Sequence, residues 1–294
     1  MPSYTLKNYL SLVKFSHTVF ALPFALIGYF LALEMNDLPF ESHALVKVVL
    51  CMVFARTSAM AFNRWADREI DRKNPRTMLR EIPSGVISAK SALFFVFLNA
   101  SLFVITTWFI NSLCFVLSPV ALLIVLGYSY TKRFTALCHL VLGAGLALAP
   151  LGAYLAVAGS FSTIPVLFSL AVFCWVAGFD IIYALQDIEF DRENKLNSIP
   201  VLLGGPNALH LSRLLHIICS LILLIPGILV RSCLIYFAGW LCFSLLLLYQ
   251  HSLVKHNDLS RINLAFFTTN GIASVIFCIF FLWDYYVCFC SPFF

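Results

Sequence analysis

The sequence predicts an all-α protein that crosses a membrane several times. Of its 294 residues, 61% are hydrophobic and only 11% are charged, and the mean hydropathy is +0.93. A soluble globular domain carries about 25% charged residues. This chain therefore lacks the polar surface that a soluble enzyme, a disordered chain or a nucleic-acid-binding module needs. Its apolar residues also gather in runs of about 20, the length of a helix that spans a bilayer.

Nine apolar segments are predicted to be the membrane-spanning helices, within a single domain over residues 1–294. At a rise of about 1.5 Å per residue, such segments cross a hydrocarbon core about 30 Å thick. Strands are excluded because the period-two alternation of a membrane barrel is absent. The first segment is too long for the core of a signal peptide, so we expect it to be a span. The segments are 15–35, 44–62, 92–110, 113–130, 137–157, 164–185, 211–230, 232–249 and 262–286.

The basic residues predict how the chain is oriented in the membrane. Nine spans place the N-terminus and the loops after the even-numbered spans on one side, and 16 of the 19 Lys and Arg residues lie on that side. Only Arg231 lies in a loop on the other side. Since cytoplasmic loops are enriched in Lys and Arg, we expect a multi-pass protein of a bacterial-type inner membrane with its N-terminus in the cytoplasm. The long loops at about 63–91 and 186–213, with the short loop 131–136, would form a cytoplasmic cap.

The first of two acidic clusters lies at the cytoplasmic end of the second span. Asn63, Asp67 and Asp71 are four residues apart. Four residues advance a helix by little more than one turn, so the spacing predicts one stripe of oxygen-bearing side chains on one helix face.

The second cluster extends the sixth span. Asp180, Asp187 and Asp191 share one helix face, with Tyr183 between them. Asp180 lies inside an otherwise apolar run, where a carboxylate costs at least about 2.5 kcal/mol. That cost favours a functional role for Asp180.

Stacked carboxylates repel one another and need a cation. Hard oxygen ligands without His or Cys suit Mg²⁺, which is commonly completed by substrate phosphates. Two facing stripes therefore predict Mg²⁺ with a diphosphate between them, and Asp180 is either a further ligand or a residue behind the ligands. The predicted ligands are Asn63, Asp67, Asp71, Asp187 and Asp191.

Basic and tyrosine side chains flank the two stripes. Arg72, Arg76 and Arg80 follow the first stripe, and Tyr128 and Lys132 end the fourth span. Arginine makes bidentate contacts to phosphate. We therefore expect these five residues to bind the diphosphate, although topology and lipid headgroups also account for cytoplasmic basic residues.

Two further features have a structural interpretation. Residues 143–159 are rich in Gly and Ala, which predicts close helix packing, with room for a ligand as the alternative. Most of the ten cysteines lie in apolar runs as small hydrophobic residues, and Cys288 and Cys290 are the only close pair. We expect neither a metal nor a disulfide there.

Three motifs occur in order, each at a predicted helix end. They are NxxxDxxxD at Asn63–Asp71, YxxxK at Tyr128–Lys132 and DxxxD at Asp187–Asp191. With these motifs the sequence resembles the UbiA superfamily of intramembrane aromatic prenyltransferases over nearly its whole length. It looks most like the 4-hydroxybenzoate polyprenyltransferases and their relatives in the futalosine route to menaquinone. The segments that carry this closer likeness are 14–26, 74–85 and 180–200.

The resemblance implies a UbiA-like bundle of nine helices around a central cavity. It also implies Mg²⁺-dependent transfer of a polyprenyl group from a polyprenyl diphosphate to an aromatic acid, in ubiquinone or menaquinone synthesis. Two Mg²⁺ ions would lie on the aspartate stripes. Tyr183 and Trp65 are candidates for stabilising the allylic cation. Asp180, or Asp187 when it is not fully committed to metal, is a candidate for orienting the phenol or taking its proton. The implied catalytic residues are Asp67, Asp71, Asp180, Tyr183, Asp187 and Asp191.

The acceptor and the function class each have an alternative at this point. The acceptor is either 4-hydroxybenzoate or 1,4-dihydroxy-6-naphthoate. A proton-coupled transporter would also carry acids inside the membrane. Carriers, however, usually show inverted repeats and polar residues at mid-membrane, whereas these acids gather at one side. A haem-farnesylating relative is disfavoured by the run from Gln186 to Asp191.

Overall fold

The computed structural model describes residues 6–14, 20–230 and 232–289. These residues form helices and no β-sheet, as the sequence predicts. Short 3₁₀ and π segments cover Leu185–Asp187, Leu264–Thr269 and Tyr285–Phe289. The α-helices are α1 (Leu6–Leu12), α2 (Leu22–Met35), α3 (Ser42–Ala66), α4 (Arg68–Lys73), α5 (Ala89–Trp108), α6 (Ser112–Thr131), α7 (Cys138–Ala158), α8 (Thr163–Ala184), α9 (Ile188–Glu193), α10 (Ile199–Leu203), α11 (Gly205–Leu229), α12 (Leu234–Leu253) and α13 (Asn270–Asp284).

Eight helical segments in the described part of the chain are long and apolar enough to cross a membrane. They match the last eight predicted spans and confirm the fold class. In the predicted span 15–35 the structure contains α2, whose 14 residues rise only about 21 Å. Residues 15–19 lie outside the described residues, as does Arg231, so the count of nine spans stays a prediction.

Polar caps fix where several helices begin. The Ser88 side chain accepts a hydrogen bond from the backbone N–H of Ser91 at the start of α5 (3.1 Å). Asn111 accepts one from the N–H of Cys114 at the start of α6 (2.8 Å). Each cap satisfies an N–H that has no partner within its helix, which sets the boundaries of the short connections between spans.

The helices form two groups with a cavity between them. In one group, α2, α7, α8, α11, α12 and α13 pack around Trp175, whose ring lies 5.3 Å from Phe24 and 5.7 Å from Phe243. The Trp175 indole N–H donates to Asn270 (3.0 Å), so the buried polar atom is satisfied. In the other group, α3, α5 and α6 pack together, and α6 meets α7.

The small residues of 143–159 serve both close helix packing and the space of the cavity, the two uses that the sequence predicts. Gly28 on α2 lies directly against the Pro150 carbonyl, where a Cβ would clash, so these two helices approach closely. Gly143 packs in the same way against the α8 backbone. Gly145 and Gly152 instead line the cavity, where the absence of side chains leaves room for a ligand.

A disulfide joins Cys233, just before α12, to Cys288, just after α13. The expectation that Cys288 has no disulfide is therefore wrong, while Cys290 lies outside the described residues. The partner was missed because it lies 55 residues away rather than beside Cys288. The bond lies at the helix ends opposite the aspartates.

Replacing Cys288 by serine should destabilise the protein, because the bond restrains a 55-residue segment and such bonds contribute about 2–4 kcal/mol. We expect the thermal midpoint in detergent to fall by several degrees and the Cys233 thiol to become reactive towards a maleimide after denaturation. Cys242→Ser, which changes a free cysteine of α12, is the matched control. An unchanged midpoint, with Cys233 already reactive in the wild type, would contradict the prediction.

Candidate active site

One cavity of about 660 Å³ contains nearly all of the predicted site residues. It lies between the two helix groups and extends from the aspartates to the opposite helix ends, where Ile110 and Phe161 line it. We call the membrane side that carries the aspartates the acidic end. The predicted residues that line the cavity are Asn63, Asp67, Asp71, Arg76, Arg80, Tyr128, Lys132, Asp180, Tyr183, Asp187 and Asp191.

The first stripe was expected on one continuous helix, but the structure breaks it, because α3 ends at Ala66 and α4 begins at Arg68. The guanidinium of Arg68 binds the Trp65 carbonyl (2.7 Å) and that of Arg133 binds the Ala66 carbonyl (2.6 Å). These contacts satisfy carbonyls at the end of α3, which stabilises the break. Asp67 remains in place between the two helices.

The four-residue spacing nevertheless survives the break. The Asp67 N–H donates to the Asn63 carbonyl (2.9 Å) and the Asp71 N–H to the Asp67 carbonyl (2.7 Å). The side-chain amide of Asn63 also donates to the Asp67 carboxylate (3.2 Å). The three side chains therefore line the same cavity wall, as the motif predicts.

The second stripe also crosses a change of helix type. After α8, the 3₁₀ turn Leu185–Asp187 tightens the backbone before α9 begins. The expected single helix from Asp180 to Asp191 is therefore interrupted. All three aspartates still line the cavity.

The loop after the first stripe reaches across to the second. The Arg76 guanidinium contacts the Asp187 carboxylate through Nε (3.1 Å) and Nη2 (2.5 Å), and its Nη1 donates to the Tyr183 hydroxyl (3.0 Å). The Asn74 amide donates to the same carboxylate (3.2 Å). Burial lowers the pKa of Arg76, but its hydrogen bonds to Asp187 and the charge of that group outweigh burial and raise the pKa. Arg76 is therefore a permanent cation between the stripes.

Other cations neutralise the first stripe. Arg80 Nη1 lies 2.7 Å and 2.9 Å from the two oxygens of Asp71. Lys132 Nζ and Arg133 Nη2 approach the Asp67 carboxylate at 3.4 Å and 3.3 Å. The carboxylates of Asp67 and Asp71 thus have positive partners from two separate parts of the chain, the loop after α4 and the end of α6.

The aspartates are not gathered into a compact cluster. Within residues 6–14, 20–230 and 232–289, the one group of three acidic, His or Cys ligand atoms within 4.8 Å of one another is Cys233, Asp284 and Cys288. Two of those residues form the disulfide. At the acidic end, arginine and lysine occupy the space between the carboxylates.

Comparison with known proteins identifies the chain. A model of the UbiA prenyltransferase family matches residues 21–283. The chain belongs to this family. A 4-hydroxybenzoate octaprenyltransferase of Tolumonas auensis is 30% identical over 247 residues, which are 84% of this chain and 86% of the relative. One of Francisella tularensis subsp. novicida is 31% identical over 250 residues, 84% and 86% of the two chains.

Solved structures agree with the assignment. The apo UbiA homolog from Aeropyrum pernix K1 superposes with a TM-score of 0.82 and 31% identity, covering 91% of this chain and 98% of that one. The Archaeoglobus fulgidus UbiA homolog bound to GPP and Mg²⁺ has a TM-score of 0.71 at 21% identity and shares the fold, covering 95% of this chain and 100% of its own. This UbiA family member is a membrane polyprenyltransferase.

Several residues of this UbiA site were missed from the sequence. Asn74 and Arg133 bind aspartates, and His139 contacts Asp180. Arg56 and Arg64 line the cavity from α3. For Arg56 the available signal was its position inside the predicted span 44–62, because a charge there is costly unless it is used.

Arg72 is the predicted site residue that the structure does not bring to the others. Its side chain is 60% exposed and pairs with Glu69 at 2.9 Å. It is not among the residues that line the cavity. A helix places Arg72 directly after Asp71 and hence on another face.

Arg80→Ala should reduce kcat/KM for prenyl transfer at least about 100-fold, because it removes the preorganised cation that pairs with Asp71 in the cavity. Lys73→Ala removes the same charge from an exposed position in α4 and should change kcat/KM less than about twofold. Steady-state kinetics with membranes containing equal amounts of each variant make the comparison. Equal losses in the two variants would show that net charge, rather than the contact to Asp71, matters.

Proposed function

We propose that this protein transfers a polyprenyl group from a polyprenyl diphosphate to an aromatic acid during synthesis of a membrane quinone. The observation that carries the proposal is a cavity that is apolar along its length and lined at the acidic end by five aspartates and several cations. Such a cavity matches a lipid tail with an anionic head. The 4-hydroxybenzoate octaprenyltransferases among its relatives support the reaction class.

The donor set at the acidic end fits Mg²⁺. Carboxylate and amide oxygens are hard ligands, and none of the five predicted ligands is His or Cys. Two ions would be held by Asn63, Asp67 and Asp71 on one side and by Asp187 and Asp191 on the other. Bound Mg²⁺ supplies neutralisation of the negative charge on the leaving diphosphate. The Mg²⁺ and GPP bound by the Archaeoglobus fulgidus homolog support this assignment.

The cations that now pair with the aspartates would bind the diphosphate once substrate and metal are present. Arg76, Arg80 and Lys132 now pair with Asp187, Asp71 and Asp67. Two divalent cations and one diphosphate nearly cancel in charge, so their binding would not leave the site strongly charged. The three side chains would move from the carboxylates to the phosphate oxygens, and arginine is suited to such bidentate contacts.

The acceptor binds deeper, where Arg56 and Asp180 line the cavity. Arg56 donates to the carbonyls of Val13 and Lys14 (3.1 Å and 3.3 Å) and has no carboxylate partner among the described residues. It would pair with the carboxylate of the aromatic acid. Asp180 would accept the hydrogen bond of the acceptor hydroxyl.

The reaction breaks the C–O bond of the prenyl diphosphate, and the electron pair leaves with the diphosphate. The ring carbon next to the hydroxyl forms the new C–C bond. Asp180 accepts the hydroxyl proton as the ring attacks. It returns that proton to the oxygen when the attacked carbon loses its hydrogen to the diphosphate. Tyr183 stacks on Phe266 at 4.1 Å, and the Arg76 guanidinium lies 5.3 Å from its ring. Once Arg76 has moved to the phosphate, this ring would stabilise positive charge, and the apolar walls would exclude water.

Two observations favour a cytoplasmic acidic end in the inner membrane. Lys and Arg are concentrated in the loops at this end, as in cytoplasmic loops generally. The disulfide lies at the other end, and disulfides persist in oxidising compartments such as the periplasm. The alternative of a proton-coupled transporter has no support, because the chain belongs to a family of prenyltransferases.

Purified protein should convert a polyprenyl diphosphate and 4-hydroxybenzoate into the prenylated acid, detected by mass spectrometry. Chelation with EDTA should abolish the product and Mg²⁺ should restore it. Dihydroxynaphthoate, assayed in parallel, decides between the two acceptors, since both carry the carboxylate and hydroxyl that the site recognises. Absence of product with both acceptors in the presence of Mg²⁺ would refute the proposed function.

Arg56→Met should raise the KM for the acceptor about 10- to 100-fold, since a charged hydrogen bond contributes about 1.5–3 kcal/mol. The KM for the polyprenyl diphosphate should stay within about twofold, because only the acceptor carboxylate is affected. Initial rates at varied concentrations of each substrate measure both constants. If only the KM for the polyprenyl diphosphate rises, Arg56 binds that substrate rather than the aromatic acid.

A further inference from the structure

A buried imidazole lies against Asp180 in the wall of the cavity. His139 is the second residue of α7, and its Nδ1 lies 2.7 Å from Oδ2 of Asp180 on α8. The His139 side chain is only 4% exposed, whereas that of Asp180 is 22% exposed. Both residues line the cavity. The histidine therefore holds one carboxylate oxygen, while the carboxylate itself stays accessible from the cavity.

The chemistry of the pair sets the direction of its hydrogen bond. An ionised carboxylate only accepts, so Nδ1 must donate to Asp180. Nε2 of His139 is buried and has no hydrogen-bond partner within the described part of the chain. Buried polar atoms are normally satisfied, and an unsatisfied one calls for an explanation. The contact through Nδ1 with Asp180 therefore helps to hold this imidazole in place.

The pairing of Asp180 differs from that of three other aspartates in the cavity wall. Asp67, Asp71 and Asp187 each contact the ammonium or guanidinium of Lys or Arg. The described contacts of Asp180 include imidazole instead. Asp180 also lies a full two turns before Asp187 along the chain, away from the predicted ligands. This carboxylate is therefore set apart from the group that would hold Mg²⁺ and diphosphate.

We propose that His139 is a positioning residue that holds the Asp180 carboxylate in the orientation that receives the acceptor hydroxyl. One oxygen of Asp180 is fixed by Nδ1–H, so the other is free to face the aromatic acid. The inference rests on the proposed function, because it assigns an acceptor hydroxyl to Asp180. His139 itself does not touch the reacting atoms. A carboxylate that orients an imidazole is familiar in catalysis, and here the imidazole orients the carboxylate.

Two substitutions separate positioning from packing. His139→Leu removes the donor, and His139→Gln keeps an N–H donor at a similar reach. Proton transfer by a positioned side chain contributes about 10²- to 10⁴-fold to rate. We expect His139→Leu to lower kcat at least about 100-fold with the KM for the polyprenyl diphosphate within about threefold, and His139→Gln to recover most of the loss. His43→Leu, at an exposed histidine, is the control.

A more acidic acceptor provides the readout that packing would not change. 3-Fluoro-4-hydroxybenzoate gives up its hydroxyl proton more readily and keeps one free ring carbon next to the hydroxyl. The deficit of His139→Leu relative to wild type should shrink severalfold with this acceptor. The same deficit with both acceptors, or equal losses in the Leu and Gln variants, would overturn the inference. Should His139→Leu fail to fold, as judged by its thermal midpoint, His139→Gln decides. A kcat close to that of wild type supports the inference, and a loss of about 100-fold that 3-fluoro-4-hydroxybenzoate does not reduce overturns it.

Failure of the inference is distinguishable from failure of the proposed function. If the wild-type protein forms no prenylated acid from either acceptor, the proposed function is wrong. If the wild type is active but the Leu and Gln variants lose activity equally, or the deficit of His139→Leu is the same with both acceptors, only the role of His139 is wrong.

Discussion

The need to keep buried carboxylates beside positive charges governs the acidic end of this protein, where Asp67, Asp71 and Asp187 each have a Lys or Arg partner. Carboxylates at a membrane boundary are costly without a counter-charge. Here the counter-charges come from distant segments: Arg76 and Arg80 from the loop after α4, and Lys132 and Arg133 from the end of α6. These ion pairs tie α3, α6, α8 and the connecting loop to one cavity. Exchange of these pairs for metal and diphosphate would couple substrate binding to the arrangement of the cap.

The rest of the fold serves this cavity. The aromatic core around Trp175 holds α8 between α7 and α11, which fixes Asp180, Tyr183 and Asp187 in space. The second helix group supplies an apolar wall of the cavity, which would accept a prenyl chain. The close contact of Gly28 with Pro150 and the lining residues Gly145 and Gly152 show small residues used both for packing and for space. Surrounding lipid and apolar walls would keep water from the allylic cation of the proposed reaction.

Much of this architecture follows from the sequence, because runs of apolar residues and four-residue spacings are local signals. The helix breaks at Asp67 and at Leu185–Asp187 were not predictable in the same way. The first depends on Arg133, which is distant in the chain and caps a carbonyl of α3. The pair His139–Asp180 and the disulfide Cys233–Cys288 likewise join residues that only the packing of helices brings together. The prediction that Arg72 binds the diphosphate was made from its place next to the motif, but its side chain is exposed and pairs with Glu69 instead.

The central claim is that the cations paired with aspartates in this structure transfer to the diphosphate when substrate and metal bind. A high-resolution structure with Mg²⁺ and an unreactive prenyl thiodiphosphate tests it directly. We expect the guanidiniums of Arg76 and Arg80 to leave Asp187 and Asp71 and to contact phosphate oxygens, with density for metal on the freed carboxylates. Guanidiniums that remain on both aspartates, with the diphosphate bound elsewhere, would contradict the account.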